Sequence, residues 1–211
     1  MAQVVQDKRD LLVFTASLQE RSGFYELAAK TYEKAAALQS SGTSESSASL
    51  LVNAARCALS MGNTQLADTY LSAVARTAVS AEVSSKIKLY AVWSWLSKIT
   101  DESSLHEPMV ILKSYVDMKG METVQSSILL TLWYLSGDES YSNKLRTAYP
   151  DSMETAVIQG RAQLLPTPFW FFLPRKAAVP LLESESLSLN SAGTAGEKSG
   201  SNTLDQQNDQ K

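Results

Sequence analysis

The stretch Gly23-Phe24-Tyr25-Glu26-Leu27-Ala28 recurs as Gly62-Asn63-Thr64-Gln65-Leu66-Ala67, an offset of 39 residues. The same offset pairs Tyr32 with Leu71 and Ala35 with Val74 downstream, and Leu12 with Leu51 and Ala16 with Ala55 upstream. Each position has a physical reason. A glycine between two helices permits the left-handed turn that reverses the chain. Alanines at 16 and 28, and again at 55 and 67, let two helix axes approach closely, where a larger side chain would push them apart. Tyr32 and Leu71 fill the wider gap toward the next pair. Each such pair leaves an apolar face uncovered, so pairs are expected to stack and share a core.

The stretch Gly23-x-Tyr25-x-x-Ala28-x-x-x-Tyr32-x-x-Ala35 resembles the second half of a tetratricopeptide repeat. The second unit keeps Gly62, Ala67 and the small Ala55, and the two units together cover about residues 9–80. The offset is about five residues longer than the usual 34-residue period, an excess that the serine-rich stretch at 40–48 accounts for. The segment Tyr149-Pro150-Asp151-Ser152-x-Glu154-x-Ala156 resembles the linker of bacterial envelope-associated tetratricopeptide proteins. The resemblance implies an all-α fold: a right-handed solenoid of about four antiparallel helix pairs over residues 7–165, closed by a capping helix.

Outward from the repeat, glycine and proline are sparse before residue 150 and fall at Gly23, Gly42, Gly62, Pro108, Gly120, Gly137 and Pro150. These breakers cut the chain into segments of helical length. Helices are predicted over 7–21, 24–39, 46–61, 64–78, 81–98, 108–119, 121–136, 139–148 and 152–164, with no strand, because no segment sustains period-two alternation. The fifth reads as apolar on two sides, Val83, Ile87, Ala91 and Trp95 on one and Leu89, Val92, Leu96 and Ile99 on the other, as expected of a sandwiched helix. Pro108 suits the first turn of the sixth, and Asp151 with Glu154 suits a capping box at the start of the ninth. Residues 40–48 read as a polar loop. Residues 183–211 are rich in Ser, Gly, Asn, Gln and charge and hold no aromatic residue, which reads as a disordered tail.

Net charge is −3 with both signs scattered, so no field favours nucleic acid or an acidic membrane surface. Cys57 is the only cysteine, which excludes an intrachain disulfide framework and fits a reducing compartment. The first nine residues lack the basic and apolar regions of a secretory signal, and no run reaches the roughly 20 apolar residues of a spanning helix. The expected location is cytoplasmic. An export signal missing from this version of the sequence would make the chain periplasmic instead.

Chemistry is sparse. His106 is the only histidine, expected in a surface loop without metal-ligand partners. Cys57 reads as a small core residue. No phosphate-binding glycine loop and no buried carboxylate pair is recognisable, so no catalytic, cofactor or metal residue is assigned and the chain is not read as an enzyme. Asp101-Glu102 and Asp138-Glu139 read as helix-start charges.

The resemblance implies a binding surface instead, lined by the first helix of each pair. Its groove positions carry over to Asp10, Val13, Ser17, Glu20 and Arg21 in the first unit, and to Ser49, Val52, Arg56, Leu59 and Ser60 in the second. This mixture suits an extended peptide or a partner helix. Some members of that family clamp a peptide carboxylate with a lysine/asparagine set; Asn53 falls on one such position, whereas Val13 and Ser17 occupy two others.

A separate feature is Pro166-Thr167-Pro168-Phe169-Trp170-Phe171-Phe172-Leu173-Pro174. Its prolines forbid a continuous helix. Residues 166–182 read either as a cap on the last helix pairs or as a docking strip, through Phe169, Trp170, Phe171 and Phe172, for a partner or a membrane surface. The expected function is a protein–protein interaction or assembly scaffold. Its rivals are the envelope component just described and a helical-bundle enzyme or ligand carrier.

Overall fold

The computed structural model describes residues 2–38, 44–77 and 79–163. The aromatic stretch 166–174, the tail from 183 and residues 40–43 of the serine-rich stretch lie outside the described residues. The described residues are all-helical, with no strand among them. In chain order the α-helices are α1 (Ala2–Arg21), α2 (Tyr25–Ala37), α3 (Ser44–Ser60), α4 (Thr64–Ala75), α5 (Ala81–Leu96), α6 (His106–Tyr115), α7 (Gln125–Ser136), α8 (Glu139–Ala148) and α9 (Met153–Ile158). Short 3-10 turns at Glu102–Leu105 and Glu122–Val124 lead into α6 and α7.

The turns obey the glycine reading. Gly23 and Gly62 hold φ of 79° and 72° in the left-handed region between α1 and α2 and between α3 and α4. The four small residues expected at close crossings, Ala16, Ala28, Ala55 and Ala67, are all fully buried. Helix starts are capped locally: the Asn63 side chain accepts from the Leu66 N–H, Ser80 from Val83, Asp101 from Ser104 and Asp138 from Ser140. The cap of α9 is Ser152, which accepts from the Thr155 N–H at 3.1 Å, and not Asp151. Glu154 reaches across to accept from the Ser127 hydroxyl at 2.5 Å instead of closing a capping box.

Three other expectations change. Helix α1 begins at Ala2, earlier than residue 7, and α3 already runs from Ser44, so the serine-rich break is shorter than expected; serines are tolerated in a first helical turn, where backbone N–H groups still want side-chain acceptors. His106 is the exposed first residue of α6 and not a loop residue. Helix α5 buries Leu89, Val92, Leu96 and Ile99, but the row on its other side passes from buried Val83 to exposed Ala91 and Trp95. The helix enclosed on all sides is α7, whose eight consecutive residues Ile128 to Leu135 are all buried. Trp133 and Thr131 survive there because each polar atom has a partner: the Trp133 ring N–H donates to Glu139 and the Thr131 hydroxyl to the Ser127 carbonyl.

Consecutive helices pack on one another, and next-but-one helices share further seams, α3 with α5 and α7 with α9. Polar ties join other next-but-one helices. Arg9 donates to Ser47 and Arg56 donates to Glu20, so α1 and α3 lie side by side and parallel. Ser85 with Thr123, and the Trp93 ring N–H to Thr131, hold α5 parallel to the segment leading into and forming α7. Between α2 and α4 the Tyr70 hydroxyl donates to Glu33.

Candidate functional site

The sequence placed ten residues along the first helices of two units, and the parallel seam between α1 and α3 brings two of them into direct contact. Glu20, near the C-terminal end of α1, is buried; Arg56 of α3 meets its carboxylate with both arms, Nε to Oε1 at 2.8 Å and a terminal nitrogen to Oε2 at 2.7 Å. The Tyr32 hydroxyl of α2 donates to the same Oε2 at 3.1 Å. One carboxylate therefore joins three helices through three charge-assisted or neutral donors, the fork geometry that arginine supplies and lysine does not.

The electrostatics follow from this enclosure. Burial, then the negative charge of Glu20, pushes the Tyr32 phenol well above its ordinary value. Burial works against the charge of Arg56, but Tyr90 and Glu20 more than offset it and hold the guanidinium above its usual range. Cys57, fully buried next along α3, has its thiol pushed up to about 12, chiefly by burial and then by Glu20. A thiol in that state is protonated and inert.

The other candidate residues separate into groups. Val52 and Leu59 are core residues, 1 % and 2 % exposed, so neither is available on an open face. The reason is that α3 is packed by α2, α4 and α5, which leaves only a narrow strip of it uncovered. Asp10 and Arg21 are exposed on α1; Val13, Ser17, Ser49 and Ser60 are half-buried. The hydroxyls of Ser17 and Ser60 turn back on the carbonyls of Phe14 and Arg56, at 2.8 and 3.0 Å, so the strip they line is small-sided and low in polarity. Phe169, Trp170, Phe171 and Phe172 lie outside the described residues.

Sequence reasoning missed a second charged seam. Asp68 of α4 accepts from the Ser94 hydroxyl at 2.6 Å and from Lys98 at 2.5 Å, tying α4 to the end of α5. Burial raises the Asp68 carboxyl, but Lys98 and Ser94 outweigh it and hold it below its ordinary value. Nothing in the local sequence marks this tie, because its members are separated by a full turn and a helix. Among the described residues no group of three or more His, Cys, Asp or Glu side chains could hold a metal ion, and no helix is long and apolar enough to cross a membrane.

Comparison with known proteins gives two similarities. Residues 97–184 match the family model TP_0752_M, described as a middle domain. A Treponema pallidum (strain Nichols) protein, described as uncharacterized, is 27 % identical over 192 residues, which cover 88 % of this chain and 50 % of that protein. The chain thus spans about half the length of this relative. No solved structure matches.

Proposed function

We propose that the chain is a helix-pair repeat module of tetratricopeptide type, acting as an interaction or assembly scaffold that receives a peptide or partner helix along the α1–α3 strip. The observation that carries this reading is the repeated parallel seam. The ties Arg9–Ser47, Glu20–Arg56, Glu33–Tyr70, Ser85–Thr123 and Trp93–Thr131 span 38, 36, 37, 38 and 38 residues. These spans lie near the 39-residue offset of the sequence repeat. A near-constant separation between partners is what stacked copies of one helix pair produce, each copy contacting its neighbour at equivalent positions.

The strip itself supports binding over chemistry. Glu20 and Arg56 are engaged with each other and the Ser17 and Ser60 hydroxyls with carbonyls of their own helices, while the small side chains leave room for a ligand backbone or a helix face. A role as a protein-binding module also suits a chain whose Glu20–Arg56 pair bridges helices and has its charged groups engaged with each other.

The test is to fill the strip without touching the ion pair. Ser49→Arg with Ser60→Arg in the full chain adds bulk at two half-buried hydroxyl positions. The pair is expected to leave the melting temperature within a few degrees, since surface changes rarely exceed about 0.5 kcal/mol each. Affinity capture from the native cell should then lose partners that the wild type retains. Identical partner sets from a folded double variant would refute the strip as the binding surface.

A further inference from the structure

The outer face of α1 carries an exposed apolar stripe. Arg9, Ala16 and Glu20 define the buried side of the helix. On the side directly opposite, at three-, four- and seven-residue steps that keep them on one face, stand Val4, Leu11, Phe14 and Leu18, exposed by 70, 64, 61 and 47 %. Phe24 and Leu27, exposed by 60 and 53 %, add two further large apolar side chains at the start of α2, the helix packed on α1. These six large side chains present roughly 600 Å² of apolar surface, the upper end of what a monomer usually exposes in one patch.

Phe24 adds an independent observation. It occupies the N-cap of α2, makes no side-chain cap and is open to solvent. In the second unit the equivalent residue, Asn63, caps α4 through its side chain. A phenylalanine at an N-cap forgoes the acceptor that the helix start wants, and exposed it gains nothing from burial. The position makes physical sense when another surface covers it.

The charges around the stripe indicate which surface. Asp7 and Arg21 lie seven residues on either side of Phe14, on its own row of the helix, and both are exposed. We infer that the stripe is a self-association surface: α1 of one copy pairs antiparallel with α1 of a second, the two-fold axis passing beside Phe14. That axis sets Asp7 of each copy against Arg21 of the other and interleaves Leu11 and Leu18 about the two Phe14 rings. Parallel pairing would instead place Asp7 on Asp7 and Arg21 on Arg21, which repel. A two-fold contact needs this kind of self-complementarity. With its flanking side chains the patch approaches the roughly 800 Å² per partner of a standard interface. Apart from Arg21, the inference uses none of the residues assigned to the α1–α3 strip.

The test is sedimentation velocity on the full chain across a concentration series, with melting temperatures measured in parallel. Wild type should sediment as a dimer and dissociate on dilution, and Phe14→Glu should be monomeric with an unchanged melt. Asp7→Arg alone and Arg21→Asp alone should each weaken the dimer about tenfold or more by placing like charges together, and the two combined should restore it. A chain monomeric at every concentration overturns the proposal. So does a dimer that survives Phe14→Glu, or one in which the double charge swap gives no rescue. A monomer that Phe14→Glu destabilises overturns it in a specific way, by showing the stripe to be covered within one chain.

Discussion

Replacing Arg56 with alanine isolates what the α1–α3 seam depends on. The substitution leaves the Glu20 carboxylate buried with only the Tyr32 hydroxyl as donor, at 3.1 Å. Breaking one side of a fully buried ion pair costs about 3–5 kcal/mol. Arg56 keeps 36 % of its side chain exposed, so water reaches part of the seam and that figure is discounted to about 2–3 kcal/mol. For a chain of this size the loss corresponds to a fall of roughly 5–10 °C in melting temperature. Glu20→Ala should cost a similar amount, since it strands a guanidinium that burial already disfavours. The double variant Glu20→Leu/Arg56→Met replaces the pair with apolar groups of similar reach and should recover most of the loss, because neither charge remains to be desolvated. Urea unfolding of wild type, the two alanine variants and their double alanine variant closes the cycle, with an expected coupling of about 1.5–3 kcal/mol. Single losses below about 0.5 kcal/mol, or strictly additive ones, would show that the pair is a solvated surface contact and that the seam is held by its apolar residues alone.

Two further outcomes follow from single residues. Gly23→Ala should cost about 1 kcal/mol, because φ is +79° while the space around an added Cβ is empty, so only the backbone objects; Gly23→Asn, which tolerates the left-handed region better, should cost less in the same urea titration. Cys57 should react with a thiol-specific reagent at least about a thousandfold more slowly in the native chain than in the unfolded one, since reaction requires opening of the core. Its thiol is raised from 9.0 to about 12, so the folded state holds the proton more tightly than the unfolded state. The stability this contributes is fully present below pH 9 and is lost as pH rises from 9 toward 12. The Tyr70 phenol, raised from 10.0 to about 12 by burial and then by its bond to Glu33, acts in the same direction over the upper part of that window. Urea midpoints should therefore fall steadily above pH 9, and a flat profile would contradict the placement of these groups.

The features legible in the sequence are those whose causes are local. A left-handed turn demands glycine wherever it occurs, and Gly23 and Gly62 could be read without knowing what packs on them. Close helix crossings demand small residues, and Ala16, Ala28, Ala55 and Ala67 announce them. What could not be read depends on neighbours. Glu20 and Arg56 sit at positions that the tetratricopeptide resemblance assigns to an open surface, and their pairing, which buries Glu20, arises only because α1 and α3 align at a 36-residue separation. Val52 and Leu59 were drawn to the same surface by position alone, although their hydrophobicity already favoured the core. The enclosure of α7 was available as an apolar run from Ile128 to Leu135 interrupted only by Thr131, but its period carries no facing information because every face is apolar. The stripe on α1 was half visible: the spacing of Leu11, Phe14 and Leu18 puts them on one helical face, and only the structure shows that this face is outside while Ala16 and Glu20 face in.

The similarity to the middle-domain family begins at residue 97, immediately after α5 ends at Leu96. The physical organisation does not break there. Lys98 on one side of that point holds Asp68 on the other, and Trp93 and Ser85 of α5 tie to Thr131 and Thr123 beyond it. Leu96 itself is fully buried, and the described residues all lie within one compact unit. A helix with one face against α3 and α4 and its polar ties reaching α7 is a shared layer. A core shared across residue 97 in this way means that a sequence match can begin there without marking a place where the fold could be cut. The similarity to the Treponema pallidum protein likewise runs across this point, over 192 residues and 88 % of the chain.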